Sequence, residues 1–294
     1  MRKFFTFYCV LALLSGYNVS DAQTRKQTYD SALVGDRITP AVSSVMMPKT
    51  YTEVLLNNAL ITTNSFYGGN RNEFKQDYRS TYLINTLQIT HGISASGRLN
   101  VGVDLSYSTG RQDADRESSA LKVFGNDSDN LREYSRGFTS VGVRARYAVT
   151  KNRNFVIQHT LSFPMNNKFL VDSRPAFNTQ LFYTHLLGRK IFLFGQADVI
   201  VRFVNGEADS QYSNNLNIFG TYLLTKNLFP FIQIGTTNVW GDDLSHMAQS
   251  YTYGMGLQYQ FSTMFTINAF YNDVFAGKNY SNWTAVSVGV RAVF

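Results

Sequence analysis

The sequence AVSVGVRAVF occupies residues 285–294, at the carboxyl end of the chain. In an extended strand, successive side chains point to opposite faces. Apolar side chains share one face here: Val286, Val288, Val290, Ala292 and Phe294. The other face carries small side chains and a single charge, Arg291. We therefore expect a strand whose apolar face is covered by the surrounding medium or by earlier segments, with Arg291 on the opposite side.

The same period-two pattern recurs from about residue 51 onward. In YTYGMGLQYQF, residues 251–261, aromatic and aliphatic side chains alternate with Thr, Gly and Gln. We delimit twelve candidate strands of this kind: 51–64, 79–94, 97–110, 136–150, 153–164, 174–188, 190–204, 212–225, 227–240, 248–262, 263–274 and 283–294. Alternation is weak in the first two, so the direction of their faces stays open. The segments exceed the ~5–6 residues of an average soluble strand and reach the ~9–11 that a tilted strand needs to cross hydrocarbon.

The breaks between these segments alternate between short and long. The short ones lie at 95–96, 151–152, 188–189, 226 and 262–263. The longer ones, rich in Gly, Asn, Asp and charge, lie at 65–78, 111–135, 165–173, 205–211, 241–247 and 275–282. Short turns at one end and long loops at the other are typical of transmembrane β-barrels, in which closure leaves no unpaired sheet edge in lipid. We therefore predict an all-β fold, a transmembrane up-and-down antiparallel β-barrel of about 12 strands over residues 51–294.

The amino-terminal residues indicate export. Arg2 and Lys3 precede an apolar run over residues 4–14, and the small residues Ser20 and Ala22 follow with the spacing of a signal-peptidase site. A membrane anchor is the alternative, but the run is shorter than the ~20 apolar residues of a spanning helix. We predict a cleaved signal peptide at residues 1–22. Residues 23–50 would then precede the barrel, either in the periplasm or folded into the lumen as a plug.

Composition supports strands and argues against several kinds of chemistry. Charged residues make up only 16% of the 294-residue chain, below the usual quarter of soluble domains, whereas aromatic residues reach 15%. The single cysteine, Cys9, lies in the predicted signal peptide, so we expect no disulfide, thiolate metal site or cysteine catalysis in the exported protein. The net charge of +7 comes from scattered basic residues, a distribution that does not favour nucleic acid as a partner.

Candidate catalytic and metal motifs are weak. No histidine has a serine two residues later, and His159 and Ser162 fall on opposite faces of one strand, which forbids contact between them. GDDLSH at 241–246 has the composition of a solvated turn. NDSDN at 126–130 lacks the twelve-residue pattern of a calcium loop. We expect no enzyme activity, cofactor or metal.

Charged residues on the predicted inward faces form the candidate functional site. The pore-lining candidates are Asp104, Arg144, Arg146, Asp198, Arg202 and Arg291. Four arginines against two aspartates leave about two positive charges, which would favour small anionic or polyhydroxylated solutes. The alternative is that these groups pair with one another and fill the interior, as in small closed barrels.

Two stretches carry a resemblance to known proteins. Phe294, with apolar residues at every second position back to Val286, resembles the terminal signal that the barrel-assembly machinery recognises in outer-membrane barrels. The chain after Gln23, rich in Asn, Tyr and Phe, resembles outer-membrane β-barrels common in Bacteroidota. ITHGISASGRLNVGVDLSYS, residues 89–108, is loosely similar to transporter-like barrels grouped with the phenol-degradation-pathway family. The resemblance implies a location in the outer membrane, with lipid and the assembly machinery as partners.

These observations favour an outer-membrane, porin-like channel for the passive passage of small polar or anionic solutes. Two alternatives stay open. The barrel could be a non-conducting scaffold or a subunit of a larger envelope complex, with its outer loops as the interacting surface. A lipid-active outer-membrane enzyme has the weakest support, because the His-x-Ser spacing is missing.

Overall fold

The computed structural model describes residues 45–125, 131–165, 174–188, 190–203, 211–241 and 245–294. Several predictions fall outside the described residues. They concern the signal peptide at 1–22, the segment at 23–44, and the acidic stretches at 126–130 and 242–243.

Twelve antiparallel strands form a closed barrel in which each strand pairs with its neighbours in the chain and the first pairs with the last. The strands are β1 (Thr52–Tyr67), β2 (Glu73–Gly92), β3 (Leu99–Asp113), β4 (Leu131–Ala148), β5 (Phe155–Pro164), β6 (Ala176–Leu187), β7 (Ile191–Arg202), β8 (Gln211–Tyr222), β9 (Leu228–Trp240), β10 (His246–Gln260), β11 (Phe265–Lys278) and β12 (Tyr280–Val293). A short 3-10 helix, Ala120–Phe124, lies between β3 and β4. The prediction of an all-β closed barrel of about 12 strands is confirmed.

The beginning of β1 and the last residue of the chain lie side by side at one end of the barrel. The backbone N–H of Thr52 donates to the carbonyl of Phe294 (3.0 Å), and the N–H of Phe294 donates to the carbonyl of Thr52 (2.9 Å). The turns after β2, β4, β6, β8 and β10 lie at this end. We call it the short-turn end, and the opposite end the loop end.

Two of the predicted long loops are wrong. Strands β1 and β2 continue to a turn at residues 68–72, and Asn279 alone separates β11 from β12. Arg71 and Asn279 adopt positive φ angles of 66° and 49°, so the chain reverses within a few residues. The polar composition of 65–78 and 275–282 suggested loops, but polar side chains are also compatible with pairing, which satisfies the backbone groups of both strands.

The apolar faces of the strands lie on the outside of the barrel, as predicted. Val103 pairs with Val143 in the register of β3 and β4, and both side chains are exposed. Arg291 faces the interior and is buried, whereas Val286 and Val288 on the other face of β12 are exposed. Among the described residues, no helix has the length and apolar character needed to cross a membrane.

Candidate functional site

The chain just before β1 lies inside the barrel. Val45, Met46 and Met47 are buried. Asn100, on the inner face of β3, binds Met47 twice: its Oδ1 accepts from the Met47 N–H (2.9 Å), and its Nδ2 donates to the Met47 carbonyl (2.8 Å). Arg146 Nη1 on β4 donates to the Val45 carbonyl (3.0 Å). These bonds hold an extended segment, residues 45–48, against the inner surface of β3 and β4.

Buried ions form one side of the interior around this segment. Arg291 Nε on β12 donates to Glu53 Oε1 on β1 (2.6 Å), and Arg146 Nη1 lies 3.8 Å from Glu53 Oε2. Arg144 is in ionic contact with Asp104. We call this group the arginine wall; it comprises Glu53, Asp104, Arg144, Arg146 and Arg291. Because all but Asp104 are buried, their charges interact with little solvent screening.

Neutral side chains next to the arginine wall orient its guanidinium groups. Arg146 Nε donates to Gln158 Oε1 on β5 (2.9 Å). Arg144 Nη1 donates to Gln88 Oε1 on β2 (3.4 Å). The wall and these two glutamines together span β12 and β1 to β5.

Aromatic rings form the opposite side of the interior. The phenylalanine wall comprises Phe182, Phe194, Phe219, Phe231 and Phe270, from β6, β7, β8, β9 and β11. Four successive ring-to-ring centroid distances along it are 5.9, 5.6, 6.4 and 5.4 Å, within the range of favourable aromatic pairs. Met46 belongs to the same cluster of buried side chains, together with Ala148 and Val156. The main chain of segment 45–48 therefore meets the arginine wall, and its Met46 side chain belongs to the apolar cluster that contains the phenylalanine wall.

Glycines in β10 make room for the rings. A Cβ at Gly254 would lie 2.6 Å from Cε2 of Phe270, closer than real side chains approach. A Cβ at Gly256 would collide with the ring of Phe231. The small inner face of β10 thus lets rings from β9 and β11 approach each other, and Phe231 and Phe270 are 5.4 Å apart between centroids.

The remaining predicted site residues lie on β7, away from the arginine wall. Asp198 is buried and accepts hydrogen bonds from Gln196 Nε2 (3.0 Å) and Asn215 Nδ2 (2.6 Å). Arg202 Nη1 donates to Ser213 Oγ on β8 (3.2 Å). All six predicted pore-lining residues face inward, and four of them belong to the arginine wall; that they line a conducting path stays a prediction.

Glu53 and the phenylalanine wall were missed from sequence. Glu53 lies in β1, where the weak alternation left the facing open. Adding Glu53 to the six predicted residues sets four arginines against three carboxylates, an excess of one positive charge instead of the predicted two. The inward phenylalanines have apolar neighbours on the outer face, so polarity does not distinguish the two faces there. Their signal is local: stretches such as IFLF at 191–194 and LFPFI at 228–232 are apolar on both faces next to the short-turn end.

His159 and Ser162 lie on opposite faces of β5. His159 Nδ1 contacts Thr179 Oγ1 on the outer face (3.1 Å), whereas Ser162 pairs with Gly142 in the inner register. Within the part of the chain that the structure describes, no three His, Cys, Asp or Glu side chains are grouped so that they could hold a metal ion.

Comparison with known proteins reveals a likeness of fold. No family model matches the sequence, and no curated protein matches it either. The structure of an outer-membrane channel from Pseudomonas putida F1 superposes with a TM-score of 0.66 at 16% identity, covering 88% of this chain and 100% of that one. The β domain of the Bordetella autotransporter BrkA gives a TM-score of 0.58 at 16% identity, covering 84% and 100%. This chain therefore has the fold of an outer-membrane β-barrel.

Proposed function

We propose that the protein is a porin-like channel of the outer membrane that passes small polar or anionic solutes passively. The observation that carries the proposal is a closed barrel with an apolar outer surface and four inward arginines. Positive groups along a lumen favour anions by pairing with carboxylate or phosphate oxygens. The fold shared with an outer-membrane channel, and the resemblance of residues 89–108 to transporter-like barrels, support the same assignment.

The placement of the barrel follows from its two ends. In outer-membrane barrels the short turns lie in the periplasm and the longer loops outside. The short-turn end, where Phe294 is exposed beside Thr52, would then face the periplasm, from which the assembly machinery recognises the terminal strand. Lipid covers the apolar outer face.

Segment 45–48 is the element that sets conductance in this proposal. A solute that enters from the loop end meets a layer in which segment 45–48 lies between the arginine wall and the phenylalanine wall. The segment is held by three hydrogen bonds and by the packing of Met46, so its displacement widens the passage.

The same layer favours a second candidate function. A barrel whose interior holds a segment of its own chain and whose wall arginines pair with carboxylates also fits a non-conducting scaffold or a subunit of an envelope complex. The two functions differ in one measurable quantity, the ionic current through the purified protein.

Planar-bilayer recording distinguishes a conducting channel from a non-conducting scaffold. We expect discrete conductance steps from the full chain and larger steps from the double variant Met46→Ser and Met47→Ser, because serine loses the packing of Met46 in the phenylalanine cluster and of Met47 beside Val45 and Val293. Val143→Ser on the outer face is the matched control and should leave conductance unchanged. Absence of steps from both the full chain and the double variant, across several voltages, would favour the scaffold.

The arginines are tested by selectivity. Replacing Arg144 and Arg146 by Ser should lower the preference for chloride over potassium, read from the reversal potential in a salt gradient. Arg153→Ser, in the short turn after β4, removes a charge of the same sign outside the interior and serves as the control. An unchanged reversal potential in the double variant would contradict the role given to the arginines.

A further inference from the structure

Polar side chains on the outer face of β2 and β3 are buried at the loop end. Arg111 and Asp113 lie on the same face of β3 as Val103, yet each is only 1% exposed, whereas Val103 is 47% exposed. The register of β2 with β3 runs without irregularity from Arg79–Asp113 to Gly92–Asn100, so the face on which these residues lie is unambiguous. Another part of the chain must therefore cover the outer wall at this level.

The segment that follows β3, residues 114–125, lies against this part of the outer wall; we call it the strap. Arg79 Nε, on the outer face of β2, donates to the carbonyl of Arg116 (2.9 Å). The 3-10 helix within the strap contacts β2 and β3, and its Val123 is buried. Beneath the strap, Arg111 and Asp113 form an ion pair with a shortest N–O distance of 2.7 Å. The strap thus lies against the outside of the barrel.

The side of the strap that faces away from the barrel is apolar. Leu121 and Phe124 are 65% and 63% exposed, more than Val103 on the barrel wall. Residues three apart in a 3-10 helix are eclipsed, so these two side chains project in the same direction while Val123 points towards the wall. Two large, exposed apolar side chains on the same side of the strap favour contact with an apolar partner.

The level of the strap identifies that partner. From Leu99 at the short-turn end to Arg111, a tilted strand rises roughly 30 Å along the barrel axis, whereas the apolar band of such barrels is ~25 Å tall. The strap therefore lies at the outer boundary of the hydrocarbon layer, where apolar and aromatic side chains are favoured.

We propose that the strap is a lipid contact: Leu121 and Phe124 insert among the acyl chains of the outer leaflet, just below the headgroups. The contact continues the apolar outer face of β2 and β3 upward, over a sector where the wall itself carries Arg111 and Asp113. It also keeps that ion pair out of contact with lipid. The proposal rests on the outer-membrane location given above.

Site-specific fluorescence tests the contact. The chain has one cysteine, so Cys9→Ser provides a background for single cysteines at Leu121 and Phe124, each labelled with an environment-sensitive nitrobenzoxadiazole dye. Ala114→Cys is the control within the strap, and Val143→Cys is the control on the outer face of the barrel. Each labelled protein is reconstituted in phosphatidylcholine vesicles. Quenching by a nitroxide on carbon 5 of the acyl chain is compared with quenching by aqueous iodide.

We expect labels at 121 and 124 to be quenched several-fold more by the lipid nitroxide than the label at 114, and to be poorly accessible to iodide. Iodide accessibility at 121 and 124 equal to that at 114, with the label at 143 still quenched by lipid, would overturn the strap contact alone. Protection from both quenchers at 121 and 124 would also overturn it, because protein would then cover these positions. Iodide accessibility at 143 would overturn the membrane location as well. The four side chains replaced by cysteine are exposed, and folding is checked by the heat-dependent electrophoretic shift of barrels.

Discussion

The arginine wall and the phenylalanine wall face each other across one barrel and are held together by different physics. On the arginine wall, each charge depends on a specific partner, because a buried ion left alone is costly. On the phenylalanine wall, contacts are non-directional and each ring has several neighbours. Segment 45–48 uses both: its backbone groups bond to Asn100 and Arg146, and Met46 belongs to the apolar cluster that contains the rings. The interior therefore has one side that is sensitive to charge and one that is sensitive to volume.

The largest effect is expected from Glu53→Ala. The change leaves Arg291, and in part Arg146, buried without its carboxylate, which should lower the free energy of unfolding by about 3–5 kcal/mol. Urea unfolding in lipid vesicles, followed by tryptophan emission, measures it. Glu133→Ala, at an exposed position of β4, is the control. Adding Arg291→Met to Glu53→Ala should recover part of the loss; a further full loss would show that the pair is not the cause.

Phe194→Ala tests the opposite wall. Phe194 packs between Phe182 and Phe219, so truncation should leave a cavity and lower the free energy of unfolding by about 3 kcal/mol. The same urea titration measures this loss. Phe74→Ala, at an exposed position near the loop end, should change stability little. If Phe194→Leu were as damaging as Phe194→Ala, volume would not be what this wall requires.

Asp198→Asn tests a buried carboxylate that is held by neutral amides, in contrast to Glu53, which is held by arginine. Asp198 accepts hydrogen bonds from two neutral amides, and asparagine keeps one acceptor oxygen in the same shape. We expect a loss of about 1 kcal/mol in the free energy of unfolding, well below that of Glu53→Ala. An equal loss in the urea titration would mean that burial of the carboxylate, rather than its arginine partners, decides the cost.

The smallest effect is expected outside both walls. On the outer face, Tyr107 and Phe138 make an edge-to-face contact with a centroid distance of 5.4 Å. Phe138→Leu keeps most of the apolar surface and removes the ring contact, so the free energy of unfolding should fall by about 0.5–1 kcal/mol. We expect lipid to fill the space left by the smaller side chain on the outer face, whereas a cavity in the interior stays empty. A loss as large as that of Phe194→Ala would contradict this expectation.

Patterning predicted the architecture because alternation and strand length are local properties. Twelve strands and the inward placement of Arg144, Arg146 and Arg291 could all be read from every second residue. Alternation is uninformative where both faces of a strand have the same character. Phe182 and Phe194 face inward beside outward Leu181 and Leu193, and no period separates the two faces there.

Long-range placement was beyond the sequence for a different reason. The partner of Glu53 lies 238 positions away, at Arg291, and is brought beside it only when the barrel closes. The strap contains ordinary loop residues, and its contact with Arg79 depends on how the chain leaves β3. Predicting the Glu53–Arg291 pair requires the register of β1, whose alternation is weak. Predicting the contact of the strap with Arg79 requires the path of a loop that has no sequence pattern.

Alternation along most strands is enough to specify a closed barrel with an apolar exterior and inward arginines, because an apolar medium outside and polar groups inside impose a period of two. What occupies the interior and what covers the outer wall became visible only in the folded chain. Segment 45–48, the pairing of Glu53 and the strap each depend on distant residues meeting in space, and their energies arise only when the barrel has closed.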